Sequence, residues 1–199
     1  MKKILAYIAF SFTAITSYAT TPLWMRDVQI SPDGTEIVFC YKGDIYKVPT
    51  EGGAATQLTT QDSYECTPVW SPDGKQIGFI IRGEVFVTSA DYATTKQVTH
   101  TPAREAGLSF ATDNRTLAYA SERGGNWQLY LAKIARKEDP NFPNATLIEE
   151  EVLLPSTTVE RAYPQFSPDG KMLAIAASGE AFDKIGLKIA PGQTSNMAD

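Results

Sequence analysis

A four-residue turn sequence recurs through this chain at regular intervals. Ser31-Pro32-Asp33-Gly34 returns 40 residues later at 71–74, in degenerate form after 40 more at 111–114, and once again at 167–170. Serine, proline, aspartate and glycine in this order are typical of a type I turn, because proline presets φ at the second position. Repeats of about 40 residues are typical of the blades of a β-propeller.

Each turn is followed by the same succession of strand signals. An apolar run such as 37–39 comes first, then a glycine hairpin such as 42–46, and in the first two repeats a short polar strand. Together with the strand before the turn, this makes four strands per repeat. The sequence therefore predicts an all-β fold, a β-propeller with four recognisable four-stranded blades that are part of a larger propeller. The predicted propeller occupies residues 20–190, with blades at 26–65, 66–105, 106–161 and 162–190 and a polar tail at 191–199.

The third repeat is longer than the others. Its turn precedes the next one by 56 residues, and the 16 extra residues map to an insertion at 136–151 that contains two prolines and three consecutive glutamates. We expect a longer solvated hairpin at the blade edge, since such insertions vary freely. The alternative is a loop that binds a partner or gates access to the propeller.

The first residues and the overall charge indicate where the protein acts. Lys2 and Lys3 precede an apolar run at 4–15 and then Ser17-Tyr18-Ala19, a pattern typical of a signal peptide at 1–19. The run is too short for a transmembrane helix, so we expect a periplasmic or secreted protein without membrane insertion after cleavage. The formal net charge of -5 argues against nucleic acid as a partner.

Export would bring the two cysteines of the chain into an oxidising compartment, where a pair can form a disulfide. The repeat argues against a bridge here. Cys40 aligns with Ile80 in the second repeat, and Cys66 aligns with Ala106 and Ala162. We therefore expect both cysteines to occupy small, buried apolar positions.

The order of strands, turns and hairpins resembles the WD-repeat-like propellers of TolB-like and tricorn-type proteins. The amino-acid sequences at 81–87 and 120–130 are most similar to those of the amino-terminal propeller of tricorn protease homologues. That resemblance implies an exported serine peptidase of bacteria in which propellers precede the catalytic domains. The chain departs from this pattern because it has only four recognisable repeats and no PDZ-like or catalytic segment.

The sequence offers few groups for catalysis. His100 is the single histidine and stands at a strand end, where a turn residue is the ordinary explanation. The sequence has no G-x-S-x-G elbow, H-E-x-x-H motif, P-loop or Cys-His cluster. Asp33, Asp73 and Asp169 are each explained by their own turn. We expect no catalytic residue, no cofactor and no metal in this chain.

One set of charged residues is a candidate binding site. In a propeller, the first strand of each blade lines the central channel, so residues at its start lie near the channel mouth. Charged side chains there could select peptides, although rim ion pairs without a function are the alternative. The candidates are Glu65, Arg104, Glu105, Glu160 and Arg161.

These observations favour a non-catalytic propeller segment of an exported tricorn-like serine peptidase, which gates or orients peptide substrates. A free-standing TolB-like scaffold of the cell envelope that binds a protein partner is the alternative. A propeller that is itself an enzyme, as in some sugar lyases, is poorly supported by a single histidine. We also expect self-association through open blade faces, because four blades leave a poorly sealed ring.

Overall fold

A computed structural model describes residues 24–60, 63–155 and 158–177. This part of the chain is nearly all β-strand, with a single turn of 3-10 helix at Phe142–Asn144. The predicted signal peptide, the end of the fourth blade and the polar tail lie outside the described residues. Across the described ranges, no helix has the length and apolar character needed to cross a membrane.

The strands form three complete antiparallel four-stranded sheets and the first two strands of a fourth. In each complete sheet the strands are ordered as they occur in the chain, which confirms the predicted partial β-propeller. The first blade comprises β1 (Met25–Ile30), β2 (Glu36–Tyr41), β3 (Asp44–Pro49) and β4 (Thr56–Gln57). The second comprises β5 (Glu65–Trp70), β6 (Gln76–Ile81), β7 (Glu84–Ser89) and β8 (Thr95–Gln97). The third comprises β9 (Glu105–Phe110), β10 (Thr116–Ser121), β11 (Gln128–Ile134) and β12 (Ile148–Leu153), and the fourth begins with β13 (Arg161–Phe166) and β14 (Leu173–Ala177).

The turns have the chemistry that the sequence predicts. The Gly34 N–H donates to the Ser31 carbonyl at 2.9 Å, which closes the turn. The Ser31 hydroxyl and the Thr35 N–H both donate to Oδ1 of Asp33, at 2.6 and 3.0 Å. This aspartate therefore stabilises its own turn, and Asp73 makes the corresponding bonds in the second blade.

The glycine hairpins impose a left-handed backbone on two successive residues. Lys42 and Gly43 have φ values of 54° and 95°, and Arg82 and Gly83 have 52° and 82°. Positive φ at both central positions matches the right-handed twist of the strands on either side. Such a turn keeps the start of the next blade close, because the Gly43 and Gly83 carbonyls accept from the first residue of β5 and of β9.

The core lies between blades. One cluster joins the first and second blades and is centred on Val38, Ile45 and Ile77. A larger one joins the second and third blades, and Val85, Leu117 and Tyr119 are completely buried there. Stability therefore depends on the stacking of successive sheets, as in other repeat architectures.

The insertion of the third repeat is packed against the molecule. The sequence placed it at 136–151, but residues 148–151 belong to β12, the outer strand of the third blade. In the connection that precedes this strand, Phe142 and Ala145 are buried. The segment is a longer hairpin between β11 and β12 and most of its residues are exposed, but its buried apolar side chains pack over the junction with the second blade.

Both cysteines belong to the junction between the first two blades. Cys40 is buried and Cys66 is half-buried, and neither is in a disulfide. Burial raises the pKa of the Cys40 thiol to about 12, so this side chain is a neutral group of the core.

Candidate functional site

The five predicted channel residues do occupy equivalent places in the repeat. Glu65, Glu105 and Arg161 are the first residues of β5, β9 and β13, and Arg104 and Glu160 directly precede two of these strands. Their side chains do not form one cluster. Glu65 and Glu105 are buried, Arg104 and Glu160 are exposed, and Arg161 is half-buried.

The main chain at these strand starts connects one blade to the next. The N–H groups of Glu65 and Glu105 donate to the Gly43 and Gly83 carbonyls at 2.8 and 2.7 Å. Arg161 donates in the same way to the Trp127 carbonyl at 2.9 Å. Every one of these bonds crosses from a hairpin of one blade to the inner strand of its neighbour.

Glu105 is held by a dense set of donors. Its carboxylate accepts from Thr101 and Ser121, both at 2.9 Å, and from Thr99 at 3.3 Å. The Arg123 guanidinium lies 3.7 Å away. Burial raises the pKa of Glu105, and the two 2.9 Å hydroxyl donors and Arg123 oppose that rise. Glu105 is thus a buried structural acid at the junction of the second and third blades.

Glu65 occupies the same place at the preceding junction with far fewer partners. It is 0% exposed, and neither carboxylate oxygen has a hydrogen-bond partner. Burial raises the pKa of Glu65, and the negative charge of Asp44 adds a smaller rise. The Thr59 hydroxyl is near enough to oppose this rise, but it does not reach hydrogen-bonding geometry. A buried, unpaired carboxylate is costly in its charged form.

A cluster around Arg123 was not identified from the sequence. Its guanidinium donates to Glu150 at 2.7 Å and to the Tyr119 hydroxyl at 3.1 Å, and it lies over the Tyr130 ring at 4.5 Å. Glu150 belongs to the run of glutamates in β12, which composition alone would assign to a solvated edge. One feature of the sequence points to this cluster. The third repeat has a longer hairpin, and Arg123 lies after β10 where the first two blades have a tight two-residue turn that ends in glycine.

The inner strands of neighbouring blades contact each other at their bulges. Asp27, Thr67, Gly107 and Tyr163 all have positive φ, and the strand register shifts beside each of them. The Thr67 N–H donates to Oδ2 of Asp27 at 3.1 Å, and Gly107 lies against the Tyr163 backbone. Each bulge lies four residues before the first residue of its turn, so the positions of the bulges could have been predicted from the repeat.

A cavity of about 250 Å³ opens at the start of the first blade. The Arg26 guanidinium lies 5.8 Å from the Trp24 ring centroid, and the Lys42 ammonium lies 5.3 Å from that of Tyr41. This arrangement places two cations and several aromatic rings beside the inner strand. The lining residues are Trp24, Arg26, Cys40, Lys42, Gly43 and Tyr64.

His100, the single histidine of the chain, is exposed and lies after the end of β8, the strand end where the sequence placed it. Among the described residues, no group of three or more histidine, cysteine, aspartate or glutamate side chains is placed to hold a metal ion.

Comparisons with known proteins agree with this architecture. No protein-family model matches the chain. An uncharacterized peptidase of Bacillus subtilis (strain 168), YuxL, is 32% identical over 165 residues, covering 80% of this chain and 22% of the relative. The chain therefore spans about a fifth of the length of the curated relative it matches.

Solved structures with the same fold include TolB proteins and peptidases. A putative TolB from Agrobacterium tumefaciens has a TM-score of 0.61 at 22% identity, covering 78% of this chain and 55% of that one. A puromycin-hydrolyzing peptidase of Mycobacterium tuberculosis has a TM-score of 0.60 at 20% identity, covering 79% and 28%. The tricorn protease has a TM-score of 0.52 at 12% identity, covering 69% and 19%.

These likenesses define the fold as a β-propeller, of which the described residues form three complete blades and the start of a fourth. They confirm the predicted resemblance to TolB-like propellers and to the propeller domains of peptidases, tricorn protease included. The identities to the solved structures are low, so these structures establish the fold rather than an activity.

Proposed function

We propose that this chain is a non-catalytic propeller segment of an exported tricorn-like serine peptidase. Its role is to admit or orient peptide substrates for catalytic domains elsewhere in the same protein. The observation that carries this proposal is the contact between inner strands of consecutive blades, made through Asp27, Thr67, Gly107 and Tyr163. In a closed propeller, inner strands brought together in this way would line the central channel, and we propose that an extended peptide enters there.

The exposed charges near the strand starts are the proposed points of peptide contact. Arg104 and Glu160 are accessible, whereas Glu65 and Glu105 are buried and would act by holding adjacent blades together. Arg161 donates to the Leu154 carbonyl at 2.8 Å and is still partly exposed to solvent. Export is proposed from the charged and apolar pattern of residues 1–19.

A free-standing TolB-like scaffold of the cell envelope is the second candidate. The match to the putative TolB of Agrobacterium tumefaciens favours it, because it has the higher TM-score and covers more than half of that chain. In this case the exposed face would bind a protein partner and no peptidase would be attached.

The reading frame on both sides of this chain separates the two candidates. Segments for PDZ and serine peptidase domains in the same frame would support the peptidase, and their absence would support the scaffold. In a protein with such segments, Arg104→Glu should lower kcat/KM for acidic peptides more than for basic ones. An unchanged ratio would contradict a role of this rim in substrate selection. Peptide hydrolysis by this chain alone, abolished by His100→Ala, would overturn the non-catalytic assignment.

A further inference from the structure

We propose that the cavity at the start of the first blade binds a peptide carboxylate, and that Arg26 and Lys42 are the two cations that recognise it. The inference rests on the proposed function, since it names the chemical group by which the propeller would hold a peptide. The carboxylate is either the free carboxyl terminus or an aspartate or glutamate side chain.

The first blade departs from the repeat at Arg26. Arg26 is the second residue of β1, and the equivalent residues of β5, β9 and β13 are Cys66, Ala106 and Ala162. Three repeats thus have a small apolar residue where the first has a guanidinium. Fold alone requires only the small residue, so the cation at this position calls for another explanation.

The two cations, Arg26 and Lys42, are also free of ion pairs within the part of the chain that the structure describes. The neighbouring carboxylates are engaged elsewhere, because Oδ2 of Asp27 accepts from the Thr67 N–H at 3.1 Å and Oδ2 of Asp44 accepts from the Gln57 amide at 3.0 Å. A guanidinium and an ammonium beside one cavity provide several N–H donors for a carboxylate.

The remaining walls of the cavity are largely apolar. Trp24 and Tyr64 occupy the same repeat position, directly before β1 and β5, whereas the later repeats have Arg104 and Glu160 there. Cys40 contributes a neutral thiol, because burial raises its pKa to about 12. The aromatic rings would cover an apolar side chain next to the bound carboxylate.

Peptide binding by the full chain tests this inference. A dansyl-labelled apolar tetrapeptide with a free carboxyl terminus, its carboxamide, and the carboxamide with one internal glutamate are titrated by fluorescence anisotropy at low and high salt. We expect the free acid, the glutamate peptide or both to bind, and the plain carboxamide to bind at least about tenfold more weakly, the effect of losing one hydrogen bond to a charged group. Which of the two acidic peptides binds identifies the source of the carboxylate.

Variants at equivalent repeat positions provide the controls. Arg26→Ala introduces the residue of the third and fourth blades, and Lys42→Asn retains a residue type that tolerates the positive φ of this hairpin. Each should weaken binding by about tenfold or more, whereas Arg82→Asn, at the same hairpin position of the second blade, should leave it unchanged.

Several results would overturn the inference. Equal binding of the plain carboxamide and both acidic peptides would do so, as would unchanged binding by Arg26→Ala or no binding of any peptide at millimolar concentration. Circular dichroism of each variant verifies that the fold is intact. The readout is binding by this chain alone, so failure of the peptidase proposal, which concerns attached catalytic domains, would be recognised separately.

Discussion

The main-chain N–H of Phe142 donates a 2.9 Å hydrogen bond to the side-chain oxygen of Gln76, 66 residues earlier in the chain. The Gln76 amide nitrogen donates in turn to the Asn114 carbonyl at 2.9 Å. The Phe142 ring, which is 0% exposed, packs edge-on against Phe110 with centroids 6.0 Å apart. The insertion of the third blade therefore closes the junction with the second blade.

Replacing Phe142 by alanine should destabilise the protein strongly. The change removes a fully buried ring and leaves a cavity, so the free energy of unfolding should fall by about 3–5 kcal/mol. Urea denaturation followed by circular dichroism measures this value. Leu147→Ala is the matched control in the same connection, because Leu147 is 50% exposed and its replacement should cost far less. Equal losses for the two variants would show that the connection is not a packed element.

Arg123→Gln should cost more than Lys133→Gln, although both residues pair with the glutamates of β12. Arg123 bonds Glu150 and Tyr119 and is 21% exposed, so its loss should lower the free energy of unfolding by roughly 1.5–3 kcal/mol. The Lys133–Glu151 pair is about half exposed on both sides, and such pairs contribute about 0–1 kcal/mol. The same urea measurement compares them. A larger loss for Lys133→Gln would contradict the assigned role of Arg123.

Glu65→Gln should stabilise the protein at neutral pH. Because burial raises the pKa of Glu65, the charged carboxylate is less favourable in the folded state than in the unfolded chain. The contribution of Glu65 to stability is fully present below the unfolded pKa of about 4.3 and is lost as pH rises through the folded pKa. Glutamine stays neutral, so the variant avoids that loss and should gain stability relative to wild type at pH 7.

The pH dependence of this gain is the decisive measurement. The difference in free energy of unfolding between Glu65→Gln and wild type should be larger at pH 7 than at pH 4. Glu105→Gln is the control at the equivalent position, and its gain should be smaller because Arg123 and several hydroxyls already stabilise the charged carboxylate. A pH-independent difference for Glu65→Gln would show that this carboxylate is solvated in the folded state.

The propeller was predictable because each signal is local and recurs. A turn such as Ser31–Gly34 and a hairpin such as Lys42–Gly43 depend on backbone preferences of a few adjacent residues, and repetition at a fixed interval leaves few architectures to choose from. The equivalence of Glu65 and Glu105 followed from the same register.

The environment of those side chains was not predictable from register alone. Whether Glu105 faces a channel or a blade junction depends on Thr99, Ser121 and Arg123, which lie at different distances along the chain. The packed insertion escaped prediction for a similar reason, since Phe142 is buried by residues of the preceding blade. Contacts between blades decide burial, and a sequence pattern within one repeat does not describe them.

The uncovered face of the first blade provides the basis for a prediction about self-association. Val28 and Ile30 are 51% and 60% exposed, whereas the equivalent Leu108 and Phe110 of the third blade are each 5% exposed. The third blade is covered by its predecessor, and within the described residues nothing covers the first. Contiguous apolar surface of this kind promotes association between proteins.

Replacing Ile30 by lysine should therefore reduce self-association of the chain. The charge would have to be buried in any contact through this face, which is unfavourable without a partner. Sedimentation velocity at several protein concentrations measures the effect, and the weight-average sedimentation coefficient of Ile30→Lys should rise less with concentration than that of the wild type. Leu147→Lys adds the same charge at a site that is 50% exposed on the third blade and should leave the concentration dependence unchanged. A wild-type chain that stays monomeric at high concentration would contradict this prediction, because it would show that the face is covered within a single molecule.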